Sequence, residues 1–176
     1  IAFDESIVFS GIGASKNNFL MELILKQKSE SEYLSSKYAS NSKIFNSILD
    51  SLLTEKKQLW LKMDSVNTLS PIAQKVTQAA YIYHYANIRE RYALLRGMQW
   101  TLQEDSLFFG FRKFLNYSDN DLAFFDPYIN YILNFISQKS LKPSIPYFKQ
   151  KQTTDFNIER LKVLDQKIKG TLLRNN

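Results

Sequence analysis

His84 is the only histidine in the sequence, and cysteine is absent. Thiol nucleophiles, disulfides and cysteine-ligated metal centres are therefore excluded from this chain. Any catalytic or metal centre that needs two imidazoles is excluded as well. His84 lies among tyrosines, and as a general base it would need a nucleophile and an orienting group, neither of which the sequence names. We predict that the chain holds no catalytic, cofactor-binding or metal-binding residue.

Two carboxylate pairs, Glu30 with Glu32 and Glu104 with Asp105, are the candidates for acid–base chemistry. That chemistry requires burial to raise the pKa of one carboxyl group. Both pairs lie in polar stretches, so we predict solvated or helix-capping roles for them. The run Asp119–Asp121 is similar to the start of a calcium-binding loop, but the glycine and the final glutamate of such a loop do not follow.

Gly11 and Gly13 separate an apolar run, Ile7–Phe9, from the first predicted helix. A glycine turn between a strand and a helix can hold a phosphate group. Lys16 occupies the position of the third glycine in the dinucleotide-binding fingerprint, so a plain strand-to-helix turn is the better interpretation. An isolated strand is unstable, and we therefore expect this one to pair with another segment.

A row of tyrosines and arginines on the third predicted helix is the candidate partner-binding surface. Arginine with tyrosine can stack on single-stranded bases. The same residue types can instead form i,i+4 pairs and cation–π contacts on a helix surface, and we favour this second interpretation. The candidate residues are Tyr81, His84, Tyr85, Arg89 and Tyr92.

The elements that would position these residues are helices. Apolar residues recur at spacings of three and four, and five glycines and four prolines are few for 176 residues. This composition favours an all-α fold over a turn-rich β fold. Ser70-Pro71 and Asp126-Pro127 each combine a capping residue with a proline and so predict two helix starts. The third helix is expected to end at Gly97, and Asp105 is expected to cap a short helix.

Two further helices carry apolar stripes. The second helix is capped by Asn41 or Ser42, and its stripe is interrupted at Glu55 and Lys56. The last helix is expected to begin near Thr154, after an extended loop that contains Pro143 and Pro146. Its stripe consists of Ile158, Leu161, Leu164, Ile168 and Leu172. We therefore predict an irregular bundle of five to six helices over residues 14–176, with one short N-terminal strand segment in residues 1–13.

The net charge of +6 arises from 23 basic and 17 acidic residues, which are spread along the chain. A basic protein can bind nucleic acid, anionic lipid or an acidic partner. No block of five basic residues is present, and no apolar window approaches the length of a transmembrane segment. We therefore expect a protein partner rather than nucleic acid.

One string of twelve residues, Phe9–Leu20 (FSGIGASKNNFL), adds a resemblance. It resembles the F-x-G-x-G-A-x-K-N-N-[YF]-L stretch of secreted thioredoxin-like thiol-disulfide oxidoreductases of the TlpA/AhpC-TSA type. The resemblance implies a preceding β domain, of which residues 1–13 would be a remnant, a helical middle region, and a C-terminal thioredoxin domain with Cys-x-x-Cys. It also implies a periplasmic or envelope-anchored location. Because this chain has no Cys-x-x-Cys, no catalytic residue of the family can be assigned here.

The expectation that follows is a non-catalytic helical accessory region of a longer protein, without a cofactor of its own. It would act as a spacer, a dimerisation surface or a docking element, and its partners would be the missing domains of the same protein or a second copy. The first alternative is a stand-alone helical module that binds a peptide, a glycan or a lipid. The second alternative is a basic nucleic-acid-binding domain.

Overall fold

The computed structural model describes residues 7–66, 69–96, 106–142 and 145–170. Within those ranges the protein is all-α and contains no strand, which confirms the predicted fold class. The chain divides into two compact units, Ile1–Ile82 and Tyr83–Asn176, and the division falls inside the third helix. The predictions that concern Gly97, Glu104, Asp105, Pro143 and Leu172 lie outside the described residues.

The first unit is built from α1, Ala14–Lys37, from α2, Ser42–Val66, and from the beginning of α3, Pro71–Arg96. The side-chain Oδ1 of Asn41 accepts a hydrogen bond from the backbone N–H of Ile44 at 2.9 Å and so caps α2. The Ser70 hydroxyl accepts from the N–H of Ala73 at 3.4 Å, directly before the proline that begins α3. Both predicted helix starts are confirmed.

The core of the first unit lies between these helices. Its buried apolar side chains come from α1, α2 and α3, and include Phe19, Leu23, Leu34, Phe45, Leu49, Trp60, Ala79 and Ala80. The indole N–H of Trp60 donates to the Thr77 hydroxyl at 2.9 Å, so the one polar atom of this ring is satisfied inside the core. The small residues Ala79 and Ala80 leave room for neighbouring side chains.

The second unit contains the remainder of α3, a helical turn at 106–108, and two 3-10 helices, Phe109–Phe114 and Asn120–Leu122. Helix α4, Asp126–Lys139, has its proline in the first turn, as the sequence predicts. A one-turn helix, Tyr147–Gln150, lies inside the segment that was expected to be an extended loop. The final helix of the described residues, α5, spans Thr154–Lys167.

Two further expectations about local structure are wrong. The run Ile7–Ser10 is not part of a strand, because no described segment forms a ladder with it. On α5, Ile158 and Leu161 are 45% and 66% exposed, whereas the stripe pattern placed both inside. Phe156 is buried instead, and its ring meets the Tyr147 ring edge-on at 6.0 Å. The larger apolar area of an aromatic ring decides which face of a short helix packs inward.

Candidate functional site

The five candidate residues of α3 do not form an exposed patch. Tyr81, Tyr85, Arg89 and Tyr92 are buried, with at most 4% of each residue exposed, and His84 is half-buried. The expectation of a surface row is therefore corrected to a mostly buried row. A role for these residues in partner binding remains a prediction.

The buried row makes aromatic and cation–π contacts within the described residues. The Arg89 guanidinium lies 5.1 Å from the centre of the Phe111 ring, and the Tyr92 ring lies 5.6 Å from that of Phe108. His84 meets Tyr85 edge-on at 5.0 Å. Burial raises the pKa of Tyr81 from 10.0 to about 12. These contacts are typical of packed side chains, and the contact of Arg89 with the Phe111 ring is a cation–π interaction.

Glu90 and Arg112 form a deeply buried ion pair in the second unit. The Glu90 side chain is 0% exposed, and its carboxylate accepts from Arg112 Nε at 2.8 Å and from Nη2 at 2.6 Å. Arg112 also donates to Gln138 Oε1 at 2.7 Å, and its guanidinium lies 3.7 Å from the centre of the Phe109 ring. Sequence reasoning missed this cluster, although Glu90 falls seven residues after Tyr83 on the inward stripe of α3.

Three tyrosine hydroxyls hold the backbone that follows Arg112. The Tyr83 hydroxyl donates to the carbonyl of Asn116 at 3.1 Å and accepts from its N–H at 3.2 Å. The Tyr128 hydroxyl accepts from the N–H of Asp119 at 3.0 Å, and the Tyr117 hydroxyl donates to the Arg112 carbonyl at 3.2 Å. Burial raises the pKa of Tyr117 and of Tyr128, so both stay neutral and able to hydrogen-bond. These hydrogen bonds anchor the segment that connects the two 3-10 helices.

The acidic candidates from the sequence also have structural partners. Asp119 caps a 3-10 helix, because its Oδ1 accepts from the N–H of Asp121 at 3.0 Å. Glu30 is not solvated as expected: its side chain is 13% exposed and pairs with the fully buried ammonium of Lys56. Partial burial would raise the pKa of Glu55, but the ammonium groups of Lys56 and Lys26 outweigh it and leave that pKa lowered.

The N-terminal glycine turn has an unusual backbone. Gly11 and Gly13 adopt φ angles of 82° and 81°, and the N–H of Ala14 donates to the Gly11 carbonyl at 3.1 Å. The side-chain amide of Asn18 then binds both peptide groups of Phe9. Its Oδ1 accepts from the Phe9 N–H at 2.7 Å, and its Nδ2 donates to the Phe9 carbonyl at 3.0 Å. One amide can meet both groups only when they point to the same side, as in an extended residue.

The same segment presents apolar side chains to solvent. Val8 is 78% exposed and Ile12 is 108% exposed, while Ile7 and Phe9 are also counted among the exposed hydrophobic residues. Peptide groups alternate in direction along an extended chain, so those of Val8 and Ser10 point away from Asn18. Within the part of the chain that the structure describes, neither Val8 nor Ser10 has a backbone hydrogen-bond partner. Residues Ile7–Ser10, called the edge segment below, thus combine an open hydrogen-bonding edge with an apolar surface.

Beside the edge segment, α1 and α2 enclose a groove of about 360 Å³. Its apolar lining comes from Phe19, Leu59, Met63 and Val66. Asn18, the residue that holds Phe9, also lines the groove. The first unit therefore places an open backbone edge and an apolar depression at the same end of α1.

Comparison with known proteins assigns no family: no family model matches the chain, and no curated protein or solved structure is significantly similar to it. Among the described helices, none has both the length and the apolar character that crossing a membrane requires. The described part of the protein is all-α, and an exposed apolar segment precedes its first helix.

Proposed function

We propose that this chain is a non-catalytic helical docking region of a bacterial envelope thioredoxin-like protein. The resemblance of Phe9–Leu20 supplies the family and the periplasmic or envelope-anchored location. The observation that carries the docking role is the edge segment, which Asn18 holds in an extended form with its other edge open. Its partner would be a β strand of the same longer protein, or the same segment of a second copy.

The physical reason is the cost of leaving peptide groups unpaired. Val8 and Ser10 are exposed, so water satisfies their peptide groups in the isolated chain. A strand that added to this edge would replace that water and cover the side chain of Val8, which is 78% exposed. Asn18 fixes the segment in advance, and pre-ordering lowers the entropy lost on association.

A photo-crosslinking residue at position 8 of the full-length protein tests this proposal in cells. Ile44 is the matched control, because it is 51% exposed, lies in the same unit as Val8 and does not line the groove. We expect crosslinks from position 8 to map to an extended segment of β structure, at a higher yield than from position 44. Equal yields at the two positions, or crosslinks to a helix, would contradict the proposal.

Two substitutions at Ser10 separate the backbone from the side chain. Ser10→Pro removes the outward N–H and should lower the crosslink yield from position 8, whereas Ser10→Ala keeps that N–H and should leave the yield unchanged.

The purified chain should also fail to reduce insulin disulfides, because it has no thiol. Turnover by the purified chain would contradict a non-catalytic role.

The groove between α1 and α2 favours a second candidate function, a stand-alone module that binds an apolar peptide. Met63 and Phe19 in its lining suit irregular apolar ligands, and Glu22 and Lys62 at its rim could fix a peptide's orientation. Met63→Glu should abolish such binding, as measured by fluorescence titration with a labelled amphipathic peptide. If wild-type protein and Met63→Glu behave alike, the groove does not bind the peptide.

A further inference from the structure

Positive charge is concentrated at one end of the second unit. Residues 141–170 hold seven basic and three acidic residues, so this short segment carries +4 of the chain's net +6. All six lysines of the segment are exposed. The basic residues are Lys142, Lys149, Lys151, Arg160, Lys162, Lys167 and Lys169, and the acidic residues are Asp155, Glu159 and Asp165.

Within this segment a buried glutamine holds a short turn, residues 145–151, called the Phe148 turn below. Gln150 is 4% exposed, and its Oε1 accepts from the N–H of Lys142 at 3.0 Å. Its Nε2 donates to the Lys142 carbonyl at 2.9 Å and also to the Ile145 carbonyl. The turn is therefore fixed from inside, while Ile145 is 40% and Phe148 is 67% exposed.

Among the described residues, the ion pairs of this segment do not involve the two lysines that follow Phe148 in the chain. Lys142 pairs with Asp155 at 3.5 Å, and Lys162 pairs with Glu159 at 2.7 Å. Lys149 and Lys151 have no acidic partner among the described residues. The turn that Gln150 holds therefore carries an exposed aromatic ring followed in the chain by two exposed lysines.

We infer that the Phe148 turn docks on the surface of an anionic lipid bilayer. Phe148 and Ile145 would enter the interface between head groups and acyl chains, and Lys149 and Lys151 would bind lipid phosphates. The argument is charge complementarity. Lys149 and Lys151 are positive and have no acidic partner among the described residues, and the phosphates of an anionic bilayer supply negative charge without a fixed geometry. This site lies outside the edge segment, so the inference does not depend on the proposed function.

Sedimentation with lipid vesicles tests the inference directly on the purified chain. We expect binding to vesicles of equimolar phosphatidylcholine and phosphatidylglycerol, no binding to phosphatidylcholine alone, and loss of binding at high salt. Phe148→Ser should weaken binding roughly tenfold, because it removes a large apolar group that enters the interface. Phe114→Ser is the matched control, since Phe114 is 88% exposed but lies outside the basic segment.

Charge reversal supplies a second, independent variant. Lys149→Glu should weaken vesicle binding more than Lys57→Glu does, although both variants lower the net charge equally and both lysines are exposed. Equal effects of these two variants, or unchanged binding by Phe148→Ser, would overturn the inference. Retention on duplex DNA without any binding to vesicles would also overturn it, because the basic surface would then serve a nucleic acid.

Discussion

Glu90 in the second unit and Lys56 in the first are both fully buried charged side chains, and they are compensated in different ways. In the second unit, Glu90 is met by two N–H groups of Arg112, which is itself only 10% exposed. In the first unit, the ammonium of Lys56 pairs with Glu30 and with Glu55, and the Glu55 side chain is 49% exposed. Water can take the place of Lys56 at Glu55 more easily than it can take the place of Arg112 at Glu90, although Glu30 is only 13% exposed. The two pairs should therefore differ in how much their loss destabilises the protein.

Glu90→Gln should give the largest loss of stability, about 3–5 kcal/mol, because it leaves the guanidinium of Arg112 buried without its counter-ion. Urea unfolding followed by circular dichroism measures the change. Glu32→Gln makes the same chemical change at an exposed position and should have almost no effect. If the two variants unfold alike, the Glu90 pair contributes nothing beyond a surface charge.

Alkaline titration tests the buried row of α3. Tyr81 has a pKa of about 12 in the folded protein and 10.0 ordinarily, so its stabilising contribution is complete below pH 10. That contribution is lost as pH rises through about 12, and by linkage it amounts to about 2–3 kcal/mol. Tyr81→Phe should remove this part of the alkaline instability, as measured by urea unfolding across that pH range. Tyr33→Phe, at an exposed tyrosine, should leave the pH dependence as in the unsubstituted protein.

Lys56→Met should cost less than Glu90→Gln, about 1–2 kcal/mol, because it conserves volume and water can hydrate Glu55, one of the two carboxylates left behind. Lys57→Met is the control on the exposed side of α2. Both variants can be compared by thermal unfolding. A loss of stability in Lys56→Met as large as that in Glu90→Gln would contradict the expected difference between the two ion pairs.

The helix caps should give the smallest effects, and they should be similar in both units. Asn41→Ala removes the cap of α2, and Thr153→Ala removes the cap of α5, where the hydroxyl accepts from the N–H of Phe156 at 3.2 Å. Each should cost about 1 kcal/mol. Amide hydrogen exchange in the first turn of each helix measures the change. Thr54→Ala, within α2, is a control that touches no helix start.

The parts of the fold that the sequence predicted correctly depend on residues that are neighbours in the chain. The starts of α3 and α4 each coincide with a proline, so neighbouring residues are enough to place them. Ser70 caps α3 as expected, whereas Asp126 is the first residue of α4 and Phe125 occupies its N-cap without a side-chain hydrogen bond. The pairing of Glu90 with Arg112 joins residues 22 apart in the chain, and helical periodicity says nothing about such a contact. On α5, Phe156 packs inward against Tyr147, so apolar spacing alone was wrong for Ile158 and Leu161, although Ile168 of the same stripe is buried.

The candidate sites likewise combine features that neighbouring residues determine with features that depend on contacts distant in sequence. The sequence singled out Phe9–Leu20, and the bonds from Asn18 to Phe9 explain why both residues belong to one motif. The open backbone edge could not be read from residue types, because every residue type carries the same peptide group. The buried state of Tyr85 and Arg89 likewise depends on contacts from segments distant in sequence.

The backbone conformation of the N-terminal turn explains why its sequence, with Gly11 and Gly13, is similar to a phosphate-binding turn. A side-chain carbon built at Gly11 or at Gly13 would meet no atom within 4 Å, so crowding does not restrict these positions. Chirality does, because both residues hold a conformation that L-amino acids resist and their mirror images prefer. The handedness of the backbone, and not crowding by neighbouring atoms, therefore favours glycine at these two positions.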